Sequence, residues 1–393
     1  TPVIVVTKDD VSAKGVIEIY KIGERLTGIE TDENGNIHFI YTEMAVSGAE
    51  FVVEAAEDIY SADNQKDIIY KKGDIVAELP TLEGKAVTDN LPLGKYNVYE
   101  KYAGDGFVLN KEVKKVELTY ANQSTTVVFK DVEFVNERPK VDINVIKQDA
   151  ENETLLSGAV FGLYAKEDIY GMEVQPKAAE NKKLLVEKGT LIEKSTSNED
   201  GIAEFTVDLP LGLYEIREIT SPIGYASTDF VYEVDVREFK QDQAVIVVEA
   251  IFKNEIIKAE VSKKDATTDK ELPGAYLTVR EKNGPEFESW MSGNEPHIIK
   301  GLEIGKIYEL IEISSPYGFA ISQKVEFKVE DTSEIQKVEM KDDLVVGKLK
   351  WLKTGEVFTH TDTGQTELGK VETPVFEKKT IANAEISIYA VED

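Results

Sequence analysis

A lysine recurs at the end of an apolar strand face in several segments of this 393-residue sequence. Side chains of a β-strand alternate between its two faces, so residues i, i+2 and i+4 lie on one side. In the run VDINVIK, the apolar residues Val141, Ile143 and Val145 therefore share a face with Lys147. The lysines placed in this way are Lys21, Lys147, Lys263 and, near the end of the chain, Lys353.

The same alternation places a glutamate and then an amide or acid on inward faces of two later strands. Tyr214 and Ile216 share a face with Glu218, and the glutamates in matching places are Glu100, Glu218 and Glu312. On the last strand of each segment the matching residues are Asn136, Asn254 and Asp342. In the first segment Phe129 and Asp131 offer a competing register, so the choice between Asn136 and Asp131 stays open.

These three residue types together could form a covalent cross-link. A buried salt bridge would explain any one trio. The recurrence of the trio in three segments favours a bond-forming site instead. Apolar surroundings lower the pKa of lysine and raise that of glutamate, which gives a neutral amine and a protonated acid. The amine could then attack the Asn or Asp carbonyl while the glutamic acid transfers protons to the leaving ammonia or water. The fold would supply proximity, with effective molarities of ~10⁵–10⁸ M.

Internal repeats indicate which elements hold these residues. Leu-Pro-Leu-Gly-Lys-Tyr at 91–96 recurs as Leu-Pro-Leu-Gly-Leu-Tyr at 209–214, and Ser-Gly-Ala-Glu-Phe at 47–51 recurs as Ser-Gly-Ala-Val-Phe at 157–161. Short alternating runs rich in Val, Ile, Tyr and Phe between turn clusters predict an all-β fold of tandem sandwiches. We predict unit one at 15–138, unit two at 139–256 and unit three at 257–345. Residues 1–14 would be the last strand of a preceding unit, and residues 346–393 the truncated start of a fourth.

Composition narrows the function classes. The net charge of −29 argues against nucleic-acid binding and against anionic membrane surfaces. The absence of cysteine excludes disulfides and Cys/His zinc sites, and three scattered histidines disfavour catalysis on an outside substrate. Asp32-Glu-Asn-Gly-Asn36 weakly resembles a calcium loop, but a hairpin turn is favoured because the sixth position lacks glycine. The sequence therefore predicts no cofactor, no metal site and no membrane span.

At these residues the sequence resembles the Cna B-type, or SpaA-type, prealbumin-like domains of Gram-positive surface adhesins and pilins. The resemblance rests on Lys147-Gln-Asp149, on the segments 156–164 and 214–225, and on Phe-Lys-Asn254. It implies a reverse Ig-like sandwich whose first and last strands are neighbours, with a glutamate that catalyses a Lys–Asn or Lys–Asp bond. The implied sets are Lys21–Asn136 with Glu100, Lys147–Asn254 with Glu218, and Lys263–Asp342 with Glu312. Unit one departs from the family's Pro-x-Gly-Tyr with Gly104-Asp-Gly-Phe107.

The resemblance also implies a cellular location and a function for the protein. We expect an extracellular stalk attached to a Gram-positive cell wall, with neighbouring repeats of the same chain as its partners. The alternative is an adhesin module that grips a host matrix protein or a glycan through residues 24–46 or 170–189. The segment from Tyr170 to Lys177 loosely resembles the pilin motif whose lysine sortase uses, although Gln175 departs from it and a surface loop is favoured.

Overall fold

The computed structural model describes residues 11–63, 66–172 and 182–389, and within these ranges the regular secondary structure consists of β-strands. This confirms the predicted all-β class. Strand pairing falls within three groups that follow one another along the chain, and a separate two-stranded hairpin comes after them. The exact unit boundaries stay predictions, and so does the strand of a preceding unit, because residues 1–10 lie outside the described part.

Unit one contains eleven strands in the described residues, arranged mainly as two facing sheets. In the first sheet β1 lies between β11 and β2 and also pairs with β7 and β8, while the second has the order β10-β9-β3-β6. Strands β4 and β5 form a small hairpin. The strands are β1 (Lys14–Thr31), β2 (Ile37–Ala45), β3 (Glu50–Ala55), β4 (Ile59–Tyr60), β5 (Ile68–Tyr70), β6 (Ile75–Pro80), β7 (Lys85–Val87), β8 (Leu91–Pro92), β9 (Gly94–Tyr102), β10 (Val113–Leu118) and β11 (Val127–Asn136).

Unit two repeats this plan with a three-stranded and a four-stranded sheet, and with a separate β-hairpin formed by β14 and β15. The sheet orders are β17-β12-β20 and β16-β13-β18-β19. The strands are β12 (Lys140–Asp149), β13 (Val160–Ala165), β14 (Ile169–Met172), β15 (Lys182–Val186), β16 (Leu191–Thr196), β17 (Ile202–Phe205), β18 (Leu213–Thr220), β19 (Val231–Asp235) and β20 (Val245–Asn254).

Unit three has the same two sheets in the orders β24-β21-β27 and β23-β22-β25-β26. Its strands are β21 (Lys258–Asp265), β22 (Tyr276–Glu281), β23 (Glu286–Met291), β24 (His297–Lys300), β25 (Ile307–Ser314), β26 (Val325–Lys328) and β27 (Gln336–Asp342). A final hairpin of β28 (Thr354–Thr366) and β29 (Gly369–Thr380) is largely exposed. The fourth unit predicted for 346–393 is represented in the described residues by this hairpin and stays a prediction.

The core of each unit lies between its two sheets. In unit two, Ile143 and Val145 of one sheet belong to the same buried cluster as Leu163 and Ile216 of the other. Alternation explains this arrangement, because apolar residues at every second position of the core strands face inward. In the part of the chain that the structure describes, no helix is long and apolar enough to cross a membrane.

Candidate bond-forming sites

In all three units the first and last strands pair in parallel with one register. Lys147 on β12 lies opposite Phe252 on β20, and Asn254 is the second residue beyond this partner. The matching partners are Phe134 for Lys21 and Met340 for Lys263, followed two residues later by Asn136 and Asp342. A spacing of two keeps both side chains on one face of the sheet. The register therefore brings each lysine beside its predicted acceptor, on the core side.

The glutamate comes from the facing sheet. Glu218 on β18 lies opposite Phe161 on β13, and Glu100 and Glu312 hold the equivalent places on β9 and β25. The two sheets therefore supply different parts of the site. The first and last strands of each unit carry the lysine and its acceptor, and the facing sheet carries the glutamate. Lys21, Lys147 and Lys263 are at most 1% exposed, so their amines lie in the core.

Unit two shows the geometry most fully. Lys147 Nζ lies 2.7 Å from Asn254 Oδ1 and 3.8 Å from Glu218 Oε1. The Asn254 amide donates to Glu218 Oε2 at 2.6 Å and to the Ala226 carbonyl at 2.8 Å. Both amide hydrogens are thereby used, which fixes the carboxamide with its carbonyl oxygen toward the lysine. An amine beside a fixed carbonyl, with an acid on the leaving nitrogen, is the arrangement that amide exchange requires.

Burial shifts the protonation of these groups in the direction that the chemistry needs. Loss of solvation lowers the pKa of Lys147 to about 8, although the nearby Glu218 opposes the shift. The same cause lowers the pKa of Lys21 to about 8 against the opposing charge of Glu100. Burial also raises the pKa of Glu218 and of Glu312 above the ordinary glutamate value. A neutral amine and a protonated acid are both favoured by such shifts.

One carboxyl oxygen of each glutamate is buried without a hydrogen-bond partner. These atoms are Oε1 of Glu100, Glu218 and Glu312. A buried ionised oxygen with no donor is costly, whereas a protonated one is far less so. For Glu218 and Glu312, whose pKa burial raises, the orphaned oxygens agree with glutamic acids that carry a proton close to the lysine.

In unit one Asn136 lies in the buried site, with its Oδ1 without a hydrogen-bond partner, and Asp131 lies elsewhere. Asn136 donates to Glu100 Oε2 at 2.6 Å and to the Val108 carbonyl at 2.8 Å, and Lys21 Nζ lies 3.5 Å from Glu100 Oε1. Asp131 is exposed and lies opposite Glu18, away from the core.

The departure of unit one from the expected Pro-x-Gly-Tyr is matched by a second change. In unit two the Tyr225 hydroxyl donates to Asp149 at 3.0 Å. In unit one Phe107 takes the place of the tyrosine, and Gly23 takes the place of the aspartate. The Phe107 ring lies where a Cβ on residue 23 would stand, at 2.3 Å. The two substitutions compensate each other, and the ring covers Lys21 at 5.5 Å from its centroid.

Unit three differs in how its acceptor is held. Lys263 Nζ contacts Asp342 Oδ1 directly and lies 3.1 Å from Glu312 Oε2. An aspartate cannot donate the two hydrogen bonds that Asn254 makes. Instead the Ser322 hydroxyl lies 2.6 Å from Asp342 Oδ1, and Asp342 Oδ2 is buried with no hydrogen-bond partner.

Comparison with known families supports the fold described above. A family model described as SpaA, a prealbumin-like fold domain, matches residues 40–133, 141–250 and 257–344, more than half of the chain. The chain belongs to this family. The predicted resemblance is thereby confirmed, and the three sandwiches are tandem prealbumin-like domains. A comparison with curated protein sequences finds no match.

Among solved structures, the chain is similar to the Bacillus anthracis TIE protein, with 23% identity and a TM-score of 0.52. This similarity covers 84% of the chain and 51% of the TIE protein, so the chain spans about half the length of that protein. The major pilin BcpA of Bacillus cereus is 14% identical, covers 84% of the chain over 100% of its own length, and has a TM-score of 0.39. The major pilin SpaD of Corynebacterium diphtheriae is 16% identical over 86% of the chain and 99% of its own length, with a TM-score of 0.32.

The SpaA-type sites also use groups that the sequence analysis missed. The backbone N–H of Asn110 donates to Glu100 Oε2 at 2.8 Å, and that of Ser322 to Glu312 Oε2 at 2.7 Å. A backbone hydrogen bond from Thr228 acts in the same way on Glu218. Each donor follows its glutamate by the same interval, and that constant spacing is the signal that could have found it.

The remaining sequence predictions meet different outcomes. Asp32 accepts hydrogen bonds from the N–H groups of Asn34 and Asn36 and so forms the predicted hairpin turn. Most of the Tyr170–Lys177 segment and part of the 170–189 surface lie outside the described residues. The 24–46 surface is described, and one of its faces packs against unit two.

Proposed function

We propose that this chain is part of an extracellular structural stalk on a Gram-positive cell surface, whose units are stiffened by self-formed isopeptide bonds. The proposed bonds join Lys21 to Asn136, Lys147 to Asn254 and Lys263 to Asp342. The observation that carries the proposal is the threefold recurrence of one buried Lys–Glu–Asn/Asp arrangement in one strand register. The chain would be an enzyme only toward itself.

The bond-forming step balances without an added reagent. In unit two the neutral Nζ of Lys147 attacks Cγ of Asn254, and the Glu218 acid gives its proton to the amide nitrogen that hydrogen-bonds to it. The bond between Cγ and Nδ2 then breaks, the nitrogen leaves as ammonia, and the one proton that Nζ loses as the new amide forms returns to Glu218. In unit three the same sequence releases water from Asp342. The catalytic glutamates of this proposal are Glu100, Glu218 and Glu312.

The position of the bond would determine how a unit carries tension. Force enters unit two at the start of β12 and leaves at the end of β20, close to Asn254. A bond from Lys147 to Asn254 would carry the pull from β12 directly to the end of β20, so residues 148–253 would be shielded from it. A covalent tie of this kind would also replace disulfides, which a chain without cysteine cannot form.

Intact-mass measurement tests the proposal. Folded protein should be lighter than its sequence by one ammonia for each Lys–Asn bond and by one water for the Lys–Asp bond. Fragment spectra should then show branched peptides that join residues 147 and 254. Folded protein with the unmodified mass would overturn the cross-link.

The adhesin alternative calls for a separate test. A panel of matrix proteins and glycans should show no saturable binding if the chain acts only as a stalk. Binding that disappears when residues 170–189 are shortened would favour the adhesin instead.

A further inference from the structure

Strands β1 and β2 of unit one extend beyond its own sandwich. The first half of β1 pairs with β11 as far as Gly23, and the second half pairs with β2 from Ile22 to Thr31. Residues 22–45 thus form a two-stranded arm. It projects from the end of unit one that adjoins unit two.

The inner face of this arm lies in the core of its neighbour. Ile37 and Phe39 are 7% and 8% exposed, and they belong to the buried cluster of unit two that contains Ile192 and Phe205. Leu26, Ile29 and Tyr41 pack against the same cluster and are partly buried. On the opposite face of β2, His38 and Ile40 are exposed. The buried face of the arm therefore packs against unit two, and its opposite face is exposed.

Polar contacts hold the arm at its base. The Tyr41 hydroxyl donates to the Asp208 carbonyl at 2.9 Å, and the Arg138 guanidinium lies 3.6 Å above the Tyr41 ring. Arg138 also donates to the Leu209 carbonyl at 2.8 Å and contacts the Asp208 carboxylate. Its burial at 6% exposure is compensated by Asp208 and by Glu24, which lies 3.6 Å away. A linker arginine thus connects the arm, the linker and unit two.

The joint between units two and three is built differently. The Ser227 N–H donates to Asp331 at 2.8 Å, and the Ile257 N–H donates to the Gly224 carbonyl at 2.9 Å. Among the described residues, unit two contributes Ala226 to the core cluster of unit three. Polar contacts at this joint, which include ion pairs of Glu151 with Lys258 and Lys300, surround one small buried side chain. They resist bending less than an arm that inserts large apolar side chains.

We propose that the arm of unit one is a docking element for unit two, whose core it completes, and that units one and two move as one rigid body. Bending of the stalk then occurs at the joint between units two and three. This inference stands apart from the cross-links, because none of its contacts involves the proposed bond-forming residues.

Amide hydrogen exchange on the full chain tests the docking. Phe39→Ala removes a buried ring that belongs to unit one by sequence and to unit two by packing. We expect exchange in β16 and β17 of unit two to become about 100-fold faster, as for other large core truncations, while β3 of unit one is unchanged. The matched control is Ile40→Ala, the next residue of the same strand on its exposed face, and it should leave both regions unchanged. Faster exchange confined to unit one, or no change in unit two, would overturn the proposal.

A second experiment measures distances between spin labels on the surface. It leaves the core residues unaltered, so it does not depend on how a core variant folds. The chain has no cysteine, so introduced cysteines are unique labelling sites. Spin labels at E117C and E204C span the joint between units one and two, and labels at E204C and E286C span the joint between units two and three. All three positions are exposed. We expect a narrower distance distribution across the first joint. Equal widths, or a broader first distribution, would refute the rigid body.

Discussion

Replacing Glu218 by glutamine should prevent the cross-link of unit two and leave its packing in place. Glutamine has the shape of glutamate, and its carbonyl oxygen can still accept the 2.6 Å hydrogen bond from Asn254. It cannot carry the proton that the leaving ammonia requires. We therefore expect Glu218→Gln to fold and to retain one ammonia that the wild type loses. Glu204→Gln, an exposed substitution in the same unit, should lose ammonia as the wild type does.

The size of the stability change follows from the position of the bond. Lys147 and Asn254 are 107 residues apart, and closing a loop of this length is worth about 4.7 kcal/mol in the chain-entropy model. The free energy of opening unit two should fall by that order in Glu218→Gln. Hydrogen exchange of core amides in β13 and β18 reports it without requiring the whole chain to unfold in one step. Continued ammonia loss in the variant would refute the catalytic role. A lost bond with a change below about 1 kcal/mol would refute the entropic argument.

Three further outcomes are expected. Asp342→Asn should change the unit three mass loss from one water to one ammonia, measured on a tryptic branched peptide; an unchanged water loss would place the bond elsewhere. Ser322→Ala should slow water loss in unit three about tenfold, because Asp342 Oδ1 loses its 2.6 Å partner. Thr228→Ala, at the matching place in unit two, should leave the ammonia loss at its wild-type rate. In unlinked Asn254→Ala, Lys147 keeps a folded pKa of about 8 against an ordinary value of 10.5. The unfolded state then binds more protons between these values, so the stability of unit two should rise with pH across that window in denaturant titrations. A fall in stability with rising pH there would contradict a neutral buried lysine.

The sequence by itself determined the parts of this protein that repeat. Alternation of apolar and polar residues placed Lys147, Glu218 and Asn254 on inward faces, because strand side chains have a period of two. Recurrence in three units then distinguished this trio from a chance buried charge. These are local properties of single strands, and a sequence records them directly.

Only the tertiary structure decided what depends on contacts between strands and between units. The pairing of Lys21 with Phe134 placed Asn136 in the core and Asp131 on the surface, and register is a property of two strands together. The compensation of Phe107 by Gly23 required the two residues to meet across a long loop.

The arm is the clearest case of this difference. From the sequence, residues 24–46 are a candidate binding surface, and an alternating pattern cannot say which neighbour buries its apolar face. Ile37 and Phe39 could have packed on unit one or a ligand, and the fold places them in the core of unit two. The fold of the whole chain decides which surface covers an apolar face. That information is not contained in any single segment.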